Sequence, residues 1–250
     1  MDGLRFKHKT LLYRLLFIFL MSYGILYFSY KYYDPFIGGG DDFRVYYSMY
    51  ENPLSNDTEA PRGYRLLGAT ITHLIYKANI YYDTTISFQH EDYDQKIFFA
   101  AILSNYIALL LCSIICSIIV DRKLKRKDDL FPFIASILCF LSFHVQYVII
   151  TGINDGWSWF LVAWGYLSYE KKSTLLFSVL MILTIIQREV IPIIFLIMAL
   201  FDFRSNRKQM LPTKFEGYAI TISVLSMAIY LLIRTTIFPL PGYEFQYSIG

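Results

Sequence analysis

The amino-acid sequence predicts an all-α protein: a polytopic membrane helix bundle of about seven transmembrane helices, with a large first outer loop carrying interfacial helices. Three observations predict it. Of the 250 residues, 56% are hydrophobic and only 17% are charged, against about 25% charged in average soluble domains. The apolar residues come in long runs rather than at the spacing of a soluble core. The few charges fall between those runs and are sorted by sign. These features exclude a disordered chain, a secreted disulfide scaffold and an ordinary soluble enzyme. A net charge of +3 is too small by itself to suggest a nucleic-acid partner. The expected partners are membrane lipids, and residues 1–250 read as a single integral membrane domain.

The first run, Leu11 to Tyr30, follows Arg5, Lys7 and Lys9. It ends in Tyr27-Phe28-Ser29-Tyr30-Lys31 rather than small residues, so it reads as an uncleaved span and not a signal peptide. The second, Ile97 to Val120, stops at a basic cluster from Arg122 to Lys127. The third runs from Leu130 to Thr151, and the fourth from about Trp157 to Tyr169. The stretch from Thr174 to Phe201 has basic flanks at both ends. One span cannot have both ends on the same side. It therefore divides at Gln187-Arg188-Glu189 into a fifth and a sixth span, and Phe215 to Ile233 is the seventh. Spans four to six are short for a hydrocarbon core that needs about 20 helical residues.

This alternation places 15 of the 23 basic residues inside and 13 of the 20 acidic residues outside. The positive-inside rule then sets the N-terminus in the cytoplasm and the C-terminus outside. The expected location is the plasma (inner) membrane.

Residues 31–96 form the large extracytoplasmic loop, with ten tyrosines. Phe43, Tyr46, Tyr47 and Tyr50 recur at helical spacing, with Asp41 or Asp42 placed to cap that helix. A second amphipathic piece, Arg65 to Ala78, puts Leu67, Ile71, Leu74, Ile75 and Ala78 on one face. Both pieces suit helices lying on the bilayer surface with tyrosines at headgroup level.

The outer side gathers the polar candidates. They are Asp41, Asp42, Arg62, Arg65 and His73 in the loop, then Asn154, Asp155, Arg188 and Glu189. Charges within or between apolar runs are costly and usually functional. Bland alternatives stand beside this: helix capping for Asp41 and Asp42, lipid-headgroup binding for Arg62 and Arg65, and an internal ion pair for Arg188 and Glu189. A divalent cation stays open as a cofactor, but no ligand motif specifies one. His8 and His144 lack metal-ligand spacing, and His90 with Glu91, Asp92 and Asp94 reads as a solvated loop. Cys112, Cys116 and Cys139 all lie in apolar runs and read as packing residues.

This layout resembles the membrane module of the GT-C superfamily of glycosyltransferases, which use sugars carried on a polyprenyl phosphate. The residues that carry the resemblance are Gly38-Gly39-Gly40-Asp41-Asp42-Phe43-Arg44-Val45-Tyr46-Tyr47 and Pro61-Arg62-Gly63-Tyr64-Arg65-Leu66-Leu67. Asn154-Asp155-Gly156 and Gln187-Arg188-Glu189 look like later outer-loop elements of that superfamily. The resemblance implies Asp41 or Asp42 as catalytic base, arginines that hold the phosphate, and a lipid-linked sugar donor as partner. The chain departs from the superfamily in stopping after its seventh run and in having two adjacent acidic residues. A transporter or flippase for a lipid-linked or anionic substrate, and a non-catalytic membrane assembly subunit, are the alternative functions.

Overall fold

A computed structural model describes residues 2–34, 40–54, 62–81, 94–124, 130–205 and 213–237. Among the described residues the secondary structure is helical throughout. The helices are α1 (Asp2–Tyr32), α2 (Gly40–Glu51), α3 (Leu66–Lys77), α4 (Gln95–Leu124), α5 (Leu130–Phe140) and α6 (Phe143–Thr151). They continue with α7 (Gly156–Glu170), α8 (Thr174–Ile185), α9 (Val190–Ser205) and α10 (Lys214–Leu232). A short 3-10 turn, Arg62–Tyr64, precedes α3, and a π-helical turn, Ile233–Ile237, follows α10.

Three helices are long and apolar enough to cross a membrane: Leu12–Tyr32, Gln95–Leu124 and Lys214–Thr236. The α5–α6 pair makes a fourth if its 43° bend lies within one span. These features fit a membrane protein. α7, α8 and α9 have 15, 12 and 16 residues, or about 23, 18 and 24 Å at 1.5 Å per residue. That agrees with the expected shortness of the fourth to sixth runs.

Beside an aromatic and aliphatic core, small polar residues are buried and many large apolar residues are exposed. Ser104, Ser113, Ser117, Ser136, Ser168, Ser223 and Ser226 are buried, while Leu138, Leu175, Ile182 and Phe201 are exposed. In water this would be an unstable arrangement. In lipid it is the expected one, because small residues let helices approach closely and apolar side chains face the tails. Three of these hydroxyls bond a carbonyl of their own helix: Ser113 to Leu110 (2.7 Å), Ser136 to Phe133 (2.7 Å) and Ser168 to Gly165 (2.8 Å).

α4 is the central element. α1 packs antiparallel to it, with Arg14 Nη1 donating to Ser117 Oγ (2.7 Å) near one end and Tyr30 packed edge-on to Phe99 near the other. α7 runs parallel to α4. Asn105 meets Gly156 at the start of α7, and Lys123 pairs with Glu170 (2.8 Å) at its end. α7 therefore has a polar contact to α4 at each of its ends.

The outer loop differs from expectation in one respect. Phe43, Tyr46, Met49 and Tyr50 of α2 are buried. The aromatic stripe packs against α4 through Phe43 and Phe98 rather than lying on a bilayer surface. An apolar stripe finds protein as readily as lipid, and periodicity does not distinguish the two. α3 buries its small residues Gly68, Ala69 and Thr72 and exposes Leu74. α2 begins at Gly40, so Asp41 and Asp42 fall in its first turn instead of capping it from outside.

Candidate functional site

The polar residues at the α7 N-terminal end come from three chain segments that fold onto one another. The first is the turn entering α3, where Arg65 sits just before the helix. The second is the α6–α7 link. Gly152 ends α6 in the left-handed conformation (φ +66°), and a side chain there would press on the Phe43 ring. The link then passes Asn154 and reaches Asp155 at the start of α7. The third is the break between α8 and α9. Arg188 closes the turn by donating its N–H to the Thr184 carbonyl. Pro192 sits in the first turn of α9, where its missing N–H costs nothing.

Gln187 holds the three segments together. It is fully buried. Its Oε1 accepts from Gly68 N–H (2.9 Å), and its Nε2 donates to the Asn154 carbonyl and to Ser158 Oγ (both 3.1 Å). Asn154 in turn donates to the Arg65 carbonyl (2.6 Å). The backbone adds a bond from Leu67 N–H to the Ile186 carbonyl (2.9 Å). Gly68 is required by close approach: a Cβ there would lie 1.8 Å from Asn154 Oδ1. Asn105, within α4, fixes the link from below by bonding the Ile153 carbonyl (2.6 Å) and Gly156 N–H (3.1 Å).

On this frame two arginines meet one carboxylate oxygen. Arg188 Nη1 lies 2.8 Å and Arg65 Nη1 3.3 Å from Asp155 Oδ1. Arg65 also donates to the Tyr46 hydroxyl and lies over the Tyr46 ring. Asp155 occupies the N-cap position of α7, yet its side chain does not cap the helix. The carboxylate is used on the guanidiniums instead. The side chains of Arg65, Asp155 and Arg188 are 14%, 18% and 33% exposed, so the cluster is partly open.

Burial works against the Arg65 charge, but Tyr46, Asp155 and Glu189 around it hold its pKa above the usual arginine value. Arg65 is therefore a permanent cation. Its Nε is buried with no hydrogen-bond acceptor among the described residues. A buried charged donor in that state favours an acceptor that is anionic.

The sequence candidates divide accordingly. Arg65, Asn154, Asp155 and Arg188 come together, and Glu189 is close enough to act on the Arg65 charge. His73 is engaged elsewhere, its Nδ1 3.0 Å from the Tyr50 carbonyl. The side chains of Asp41, Asp42 and Arg62 lie outside the described residues, as do His90, Glu91 and Asp92. Tyr46, Asn105 and Ser158 belong to the assembly but were not expected in it. Asn105 had a signal, since an amide within an apolar run calls for a partner. Tyr46 and Ser158 had none. Among the described residues, the one group of three or more metal-ligating side chains is Cys112, Cys116 and Cys139.

No protein-family profile, curated protein or solved structure matches this chain.

Proposed function

We propose that the chain is a membrane glycosyltransferase of the GT-C kind. It would move a sugar from a lipid-phosphate carrier to an acceptor on the extracytoplasmic side of the inner membrane. The topology in this reading has seven spans, a cytoplasmic N-terminus and an outer C-terminus. The observation that carries the reading is the pair Arg65 and Arg188 on one Asp155 oxygen, with Arg65 Nε lacking an acceptor among the described residues. The two guanidiniums share one carboxylate oxygen and keep further N–H donors in a planar fork that suits a phosphate, with Glu189 the other acidic group near Arg65.

In this mechanism the acceptor hydroxyl attacks the anomeric carbon of the sugar. Its proton passes to the carboxylate of Asp41 or Asp42. The new glycosidic bond forms as the bond from the anomeric carbon to the phosphate oxygen breaks. The leaving lipid phosphate gains charge, and Arg65 and Arg188 stabilise it, with Arg62 a further candidate. Asp155 is a positioning residue here, since both arginines occupy its carboxylate. The short helices α7 to α9 support a recess on the outer side where a lipid headgroup could enter.

The test is turnover of a lipid-linked sugar by Asp41→Asn and Asp42→Asn proteins that insert normally. One of the two is expected to lose at least about 100-fold in rate, the minimum for removing a general base. Full activity in both overturns the assignment of the base.

The break between α8 and α9 beside a charged pair favours a second reading, a transporter or flippase for the same class of lipid-linked or anionic substrate. Movement of that lipid across a vesicle membrane without sugar transfer would select it. A non-catalytic assembly subunit would show neither activity.

A further inference from the structure

We propose that Cys112, Cys116 and Cys139 form a binding site for a thiophilic metal ion, Cu(I), within the helix bundle. Cys112 and Cys116 stand one turn apart on α4, so they share a face, and Cys139 comes from α5 packed against it. All three Sγ atoms lie within 4.8 Å of one another. Cys116 and Cys139 are 3.7 Å apart, and all three thiols are free rather than joined in a disulfide. A trigonal ion with metal–sulfur bonds of about 2.3 Å needs sulfurs about 4.0 Å apart. The thiols therefore stand within about an ångström of a coordinating arrangement before any metal binds.

The donor set selects the ion. Among the described residues the group contains sulfur alone, with no histidine or carboxylate. Calcium and magnesium take oxygen ligands. Structural zinc is almost always closed by four ligands. Three thiols with no fourth donor among the described residues suit a soft monovalent ion with low coordination number, and thiolates select Cu(I). Charge balance agrees. Binding releases the protons of Cys116 and Cys139, so two thiolates and one Cu(I) carry a single negative charge. Cys112 stays a thiol, its Sγ directed at the Trp159 carbonyl (3.6 Å). The buried guanidinium of Arg14 bonds Ser117, the residue next to Cys116, and supplies a positive charge on the same turn of α4. No oxidation or reduction is involved. The site lies among the spanning helices and is independent of the Arg65–Asp155–Arg188 cluster.

The experiment is anaerobic Cu(I) titration of the reduced full-length protein in detergent, against bicinchoninate as the competing chelator. One equivalent of Cu(I) per chain is expected, with a sulfur-only shell in copper X-ray absorption. Loss of an outer-shell partner alone costs a metal site about 10- to 100-fold. Cys116→Ser and Cys139→Ser should therefore each weaken binding by about 100-fold or more, and Cys112→Ser by less. Unchanged binding in the Cys116→Ser/Cys139→Ser double variant overturns the proposal. So does displacement of Cu(I) by an equal concentration of Zn(II). If the serine variants fail to fold, alkylation of the wild-type thiols by a maleimide decides. Cu(I) should protect Cys116 and Cys139, and equal labelling with and without Cu(I) overturns the site.

Discussion

Gln187 and Ser113 are both fully buried, yet their polar atoms are satisfied in opposite ways. Ser113, in the middle of α4, bonds the Leu110 carbonyl three residues back. Gln187, between α8 and α9, bonds Gly68, Asn154 and Ser158, which belong to two other segments. Within the spanning helices, hydroxyls such as those of Ser113, Ser136 and Ser168 bond their own helix, because a helix in lipid must satisfy its own polar groups before it meets a neighbour. A few bonds, such as Arg14 to Ser117, tie whole helices together. The polar end works differently. It uses non-local bonds to hold irregular backbone in one geometry, and that geometry brings Arg65 and Arg188 onto Asp155. The contrast separates polar residues that let helices pack from polar residues that build a site.

The largest effect that would break this contrast is expected at Gln187. Gln187→Ala leaves Gly68 N–H, the Asn154 carbonyl and Ser158 Oγ without their partner. Unsatisfied buried groups cost about 1–3 kcal/mol each, and relaxation shares part of that, so a loss of about 3 kcal/mol is expected. Denaturant titration in mixed micelles would measure it. Gly68→Ala comes next. The new methyl collides with Asn154, which moves only by giving up its bond to the Arg65 carbonyl. A cost of about 2 kcal/mol is expected by the same titration, in the range of overpacked cores. Ser113→Ala should be smallest, within about 0.5 kcal/mol, since the carbonyl it releases keeps its helical bond. If Ser113→Ala costs as much as Gln187→Ala, the distinction between the two regions is wrong.

The helices were legible in the sequence because long apolar runs and the charges between them follow from the length and polarity of a bilayer. The break at Gln187-Arg188-Glu189 was readable for the same reason: both flanks of Thr174 to Phe201 are basic. The approach of Arg65, Asp155 and Arg188 was legible only as a shared side of the membrane. Their pairing depends on the bonds of Gln187 and on the missing Cβ of Gly68, which no periodicity encodes. The fate of the aromatic stripe on α2 was likewise invisible. Phe43, Tyr46 and Tyr50 at helical spacing suit a bilayer surface and a protein groove equally, and the groove beside α4 took them. The meeting of Cys139 with Cys112 and Cys116 follows from the register of α5 on α4, again a tertiary fact.

The central claim is that the two arginines form a site for the phosphate of a lipid carrier. Native mass spectrometry of the protein with a polyprenyl phosphate tests it most directly, comparing wild type with the Arg65→Gln/Arg188→Gln double variant. The account predicts retention of one lipid phosphate by the wild type and at least tenfold weaker binding by the variant, about 1.4 kcal/mol. Equal retention by both proteins, with the variant still folded, would contradict it.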